Sequence, residues 1–174
     1  SPNEARRLMI SQFDSLLPEA EQPPQSADAR ARAEQRHRAR ADRTFLRLLR
    51  AVERNSGIND HDRAERAVMV ILGAICRRLT PQEARHFLAQ LPSKLHGRLN
   101  HCFNGPDKQI TTRTIEGELM RELELMPPAA SELLYAVCEV VADSISAGEI
   151  EAVRGQLPAN MKELFPLISY RRTA

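Results

Sequence analysis

Between about residues 44 and 165, apolar side chains return every three or four positions, and each run closes at a residue that a helix cannot easily carry forward. Phe45, Leu48, Leu49 and Val52 mark the first stripe. They belong to one helix that begins somewhere in 28–43 and ends near Asn55–Gly57, where Gly57 suits a left-handed stop. A second helix, from about Asp62 to Leu79, carries Ala64, Ala67, Val68, Ile71, Leu72, Ile75 and Leu79. Thr80-Pro81-Gln82-Glu83 then predicts a capping box, with Thr80 accepting from the amide of Glu83 and Glu83 reaching back to the amide of Thr80. The helix it opens holds Ala84, Phe87, Leu88 and Leu91 and stops at Pro92. A short helix over 93–100 and a turn at Asn104-Gly105-Pro106-Asp107 follow.

From Thr114 the order recurs. Ile115, Leu119 and Leu123 mark a helix ended by Pro127-Pro128. Ala130 to Ile145 is apolar almost all round and is expected to be the most buried element. Ser146-Ala147-Gly148-Glu149 is a second capping box, its helix carries Ile150, Val153 and Leu157 and stops at Pro158, and a short helix ends near Phe165. Residues 65–99 overlie residues 131–165 without a gap at an offset of 66, with Glu83 on Glu149, Thr80 on Ser146, and Gln90-Leu91-Pro92 on Gln156-Leu157-Pro158. Only four of the 35 aligned positions are identical. Two unrelated amphipathic helix pairs would also give matching stripes; the coincidence of cap, stripe and stop in one register favours two copies of one unit sharing a core.

The expected fold is therefore all-α: a compact helical bundle of two tandem pseudo-symmetric helical repeats with an N-terminal helical extension. The corresponding segments are 1–27 (a short helix and a Pro-rich linker), 28–112 (an extended Arg-rich helix and the first repeat) and 113–174 (the second repeat and a tail). The runs RAERAVMVILGAICRRLTPQEARHFLAQLP and SELLYAVCEVVADSISAGEIEAVRGQLPANMKELF carry a resemblance to the bacterial family called domain of unknown function 2267, over about residues 44–165. That resemblance implies an all-helical bacterial cytoplasmic protein. It supplies no activity and no catalytic residues.

Composition narrows the alternatives. Aromatics are 4% of the 174 residues and Trp is absent, so the core is aliphatic. Seven glycines are too few for a turn-rich β-sandwich or for Gly-rich phosphate loops. No window of about 18 apolar residues spans a membrane, and Ser1 to Arg7 leads into no secretory h-region. Cys76, Cys102 and Cys138 are odd in number and far apart, which fits a reducing cytoplasm better than a disulfide framework. Before the bundle, Leu8, Met9, Phe13, Leu16 and Leu17 form the apolar side of a short helix ended by Pro18. Residues 18–27 then read as a linker, which makes that helix a candidate docking or swapping element.

The residues with most chemical interest are arginines. Arg36, Arg40, Arg43, Arg47, Arg50 and Arg54 fall at steps of four and three, a narrow row on a helix and opposite the apolar stripe. Residues 28–54 hold nine Arg against four acids, a balance of +5. Such a row serves as a solvated face, as a contact for a protein partner, or as a line of donors to a phosphate backbone. No aromatic residue interleaves with it for base stacking. Residues 113–165 carry the opposite sign, −6, which suits an internal contact, a head-to-tail or swapped oligomer, or an ordinary helix surface. His86, His96, His101 and Cys102 lack the paired spacing of a zinc site, and no nucleotide, metallopeptidase or hydrolase motif is present. No catalytic residue, cofactor or metal is assigned. The reading is a non-enzymatic helical interaction module that binds a protein partner or itself, the alternative being a nucleic-acid-associated protein that uses the Arg row.

Overall fold

The computed structural model describes residues 26–167. The expected docking helix with Leu8, Met9, Phe13, Leu16 and Leu17 lies outside the described residues. The described residues divide into two units, 26–38 and 39–167, and helix α1 (Ala27–Ser56) carries the chain from the first into the second. In the first unit the helix opens with Ser26 Oγ accepting from the Ala29 amide at 3.2 Å, and its surface pairs Arg38 with Glu34 one turn away.

All described regular structure in the second unit is helical: the end of α1, then α2 (His61–Arg78), α3 (Pro81–Ala89), α4 (His96–Leu99), α5 (Thr112–Leu123), α6 (Pro127–Asp143), α7 (Ala147–Gln156) and α8 (Ala159–Lys162), with short 3-10 turns flanking α4. The first helix closes as expected: Gly57 has φ +74° and its amide donates to the Glu53 carbonyl at 3.1 Å. Asp60 caps α2, accepting from the amides of Asp62 and Arg63.

Two helix starts differ from expectation by two or three residues. α5 starts at Thr112, because Thr111 and Thr114 form a reciprocal capping box that substitutes Thr for the usual Glu. α6 starts at Pro127, not Ala130. Prolines fit the first turn of a helix, where their missing amide has no partner to lose, so Pro127-Pro128 opens α6 while α5 has already ended at Leu123.

The core is aliphatic, as composition requires. α2 and α6 each bury nine residues, so α6 is not alone at the centre. Around them Leu49, Phe87, Leu95, Leu119, Met161 and Phe165 are fully enclosed, and the rings of Phe87 and Phe165 meet edge to face at 6.3 Å. No polar or charged residue is fully buried among the described residues. Helix ends are tied by side chains from elsewhere in the chain. Arg63 donates to the Leu123 carbonyl at 2.8 Å and Arg66 donates to that of Glu122, so two α2 arginines close the C-terminus of α5.

No single helix among the described residues is long and apolar enough to cross a membrane. α5 and α6 meet length and composition limits only as a pair bent by 109°, and the apolar faces of both are used in the core.

The turn at 104–107 lies against the end of α2, where the Asp107 amide donates to the Arg77 carbonyl at 2.7 Å. A Cβ on Gly105 would overlap the carbonyl oxygens of Arg77 and Leu79. Backbone on both sides leaves nothing flexible to move, so Gly105→Ala is expected to lower the unfolding free energy by about 1–3 kcal/mol, read from the urea midpoint. An unchanged midpoint would show that this turn is free to back away from α2.

Candidate functional site

The arginine row stands on α1. Arg36, in the first unit, and Arg40, Arg43, Arg47, Arg50 and Arg54, in the second, are all exposed. The opposite side of the helix within the second unit seats Phe45, Leu48, Leu49 and Val52 in the core, which fixes its rotation there and leaves Arg40, Arg43, Arg47, Arg50 and Arg54 facing outward. None of the six is in an ion pair with a described residue. Four other cations of the second unit are paired with carboxylates: Arg66 with Glu122 (3.8 Å), Arg77 with Glu118 (3.8 Å), Lys94 with Asp42 (3.0 Å), and Arg98 with Glu65. Lys94 also lies 5.5 Å from the centre of the Phe45 ring, so it holds α1 by charge and by cation–π contact together. Arg50 and Arg54 border an open depression of about 310 Å³ with Glu53, Ile58 and Asn59, and Glu53 is engaged by His61 at 3.2 Å.

A second polar constellation lies where α3 meets α7. Both predicted N-caps are present: Thr80 Oγ1 accepts from the Glu83 amide at 3.3 Å, and Ser146 Oγ from the Glu149 amide at 3.2 Å. The second half of each predicted capping box is not. The Thr80 amide donates instead to Oε1 of Gln156 (2.9 Å), and the Ser146 amide to Oε1 of Gln90 (2.7 Å). The same carboxamides return a hydrogen bond, Gln156 Nε2 to Thr80 Oγ1 at 3.2 Å and Gln90 Nε2 to Ser146 Oγ at 3.4 Å. Each helix start is thus closed by a glutamine from beside the other, in the place its own glutamate was expected to fill.

The displaced glutamates meet one another. Burial raises Glu149, and the Glu83 carboxyl within hydrogen-bond reach raises it further, to about 7. Oε1 of Glu83 and Oε1 of Glu149 are both buried without a hydrogen-bond donor. Sequence reasoning placed all four of these residues but missed their pairing. The available signal was that Glu83/Glu149 and Gln90/Gln156 are two of the four identities between the aligned segments.

The remaining candidates do not assemble. His96 contacts the Leu91 carbonyl at 3.0 Å, while His86 and His101 are exposed. No group of three or more metal-binding side chains occurs among the described residues. Cys76, Cys102 and Cys138 are buried and free. Burial pushes Cys76 up to about 12, with Cys102 adding to the rise, and burial likewise raises Cys102 against the opposing Arg77 guanidinium; neither thiol is primed as a nucleophile. Tyr135 is 40% exposed on α6, and desolvation followed by the charges of Glu163 and Glu116 raises its hydroxyl.

The model of a protein family described as an uncharacterized conserved protein, DUF2267, matches residues 45–164, and the chain belongs to that family. No curated protein matches the chain. The matched span contains the carboxyl seam whole, whereas Arg36, Arg40 and Arg43 precede it.

Loss of Gln156 strands a half-buried amide, while loss of Gln90 strands one at the exposed Ser146, where water replaces the acceptor. Gln156→Ala is therefore expected to lower stability by about 1–2 kcal/mol and Gln90→Ala by less, measured by urea unfolding. Equal and negligible losses would show that neither carboxamide closes its helix.

Proposed function

We propose that this member of the DUF2267 family is a non-enzymatic interaction module of the bacterial cytoplasm, and that it engages an acidic partner surface through the arginine face of α1. One observation carries the reading: this face is exposed and unpaired with any described residue, while Arg66, Arg77, Lys94 and Arg98 are matched to carboxylates within the second unit. An unmatched row of guanidinium groups fits a partner that supplies the carboxylates, because Arg binds them in a bidentate, oriented way. Free, buried thiols support a reducing compartment.

The partner is another protein or a second copy of this chain, whose residues 113–165 carry a net −6. A duplex phosphate backbone is the alternative occupant, since a line of arginines offers it donors at helical intervals. Against that alternative, the acidic part of the chain repels a polyanion, and no base-reading or stacking side chain accompanies the row.

The test compares an oligoglutamate peptide and a short duplex DNA by fluorescence anisotropy at low and high salt, alongside light scattering of the protein alone. Replacing Arg36, Arg40, Arg43 and Arg47 together by Glu is expected to abolish peptide binding. It should leave helical content unchanged and stability within roughly 0.5 kcal/mol per site, since all four side chains are exposed. A dimer that the replacement dissociates identifies the second copy as partner. Tight duplex binding that falls steeply with salt transfers the reading to nucleic acid. Binding and mass that ignore the replacement reject the arginine face altogether.

A further inference from the structure

We propose that the contact between Glu83 and Glu149 is a proton-operated latch on the α3–α7 seam, closed when the two carboxyls share one proton and loosened when both ionise. The geometry comes first. Each glutamate sits three residues after an N-cap, where it would ordinarily bond the cap amide, and Gln156 and Gln90 occupy those amides instead. The carboxyls are left with a buried oxygen each and no donor. Two ionised carboxylates are acceptors only, so their approach is repulsive. A proton on either one converts the contact into an O–H···O bond between the two helix starts and satisfies the oxygens together.

No cation on the packed elements takes over that task. From α2, Arg77 is paired with Glu118, and Arg78 holds a buried Nε that bonds to nothing. On α3, Arg85 lies 5.5 Å from the Phe103 ring centre and His86 is exposed. In the following turn Lys94 is held by Asp42, and on α7 Arg154 donates to the carbonyls of Lys162 and Phe165, both at 2.6 Å, while Glu151 is exposed. Among charged groups only Glu83 perturbs Glu149, after burial itself.

The direction of the pH effect follows from linkage. Glu149 holds its proton up to about 7 in the folded chain, against an ordinary value of 4.5, so the native state binds more protons than the unfolded state between those limits. The contribution of the latch is fully present below about pH 4.5 and is lost as pH rises through about 7. The latch is isolated by comparing variants rather than by the bare profile, to which every titrating group of the chain contributes.

The experiment measures urea midpoints from pH 4.5 to pH 8.5 for the wild type, Glu83→Gln and Glu149→Gln, with ¹³C NMR titration of the glutamate carboxyls in the wild type. A carboxamide donates to the remaining carboxylate without needing a proton. Each single variant is therefore expected to have a higher midpoint than the wild type at pH 8.5, with the difference shrinking toward zero at pH 4.5. One wild-type carboxyl should titrate near 7. The proposal is overturned if both carboxyls titrate near 4.5, or if the difference between variant and wild type stays the same at every pH. A variant that unfolds does not rescue it, because the wild-type titration decides independently.

Discussion

A helix leaves four amides at its start and four carbonyls at its end without partners, and a chain made of short helices meets that deficit again and again. Here the deficit does more than set boundaries. Side chains from distant segments fill it, and in filling it they join the segments. Arg63 and Arg66 of α2 close the end of α5, Arg154 of α7 closes the turn after α8, and Gln90 and Gln156 close the starts of α7 and α3. The aliphatic core supplies most of the driving force for collapse, but apolar contact is non-directional. The polar bonds at helix ends are the directional element that sets which helix lies beside which.

Much of the fold was legible because it is local. Helical spacing placed the stripes of α1, α2 and α6, and Thr80, Ser146 and Gly57 act where their residue types predict. The start of α6 was misplaced because proline was read as a stop, when at the first turn it is a start. The start of α5 rests on a Thr–Thr box, whose second member carries no conventional signal. The capping boxes failed in an instructive way. Thr80 and Gln156 are 76 positions apart, and Ser146 and Gln90 are 56 apart, so a local motif had a non-local competitor that no window of sequence contains.

The arginine face and the carboxyl seam differ in the same respect. Amphipathicity alone exposes Arg40, Arg43, Arg47, Arg50 and Arg54, because burying Leu48, Leu49 and Val52 determines which way the helix turns. That these arginines stay unpaired with described residues while Arg66 and Arg98 do not depends on where Glu122 and Glu65 come to lie, which is a property of tertiary packing. Composition gave the sign of the charge on each part of the chain; only the packing shows which charges are already spent within the protein.

The crossed glutamine caps also put a clock on biosynthesis. The start of α3 leaves the ribosome long before the residue that closes it, since Gln156 follows Thr80 by 76 positions. At elongation rates of about 5–20 residues per second, that interval is roughly 4–15 s. During it α2 and α3 can pair through their apolar faces, but the Thr80 amide must bond water or its own Glu83. The bond that closes the start of α3 in the folded protein therefore forms only after the end of α7 has emerged.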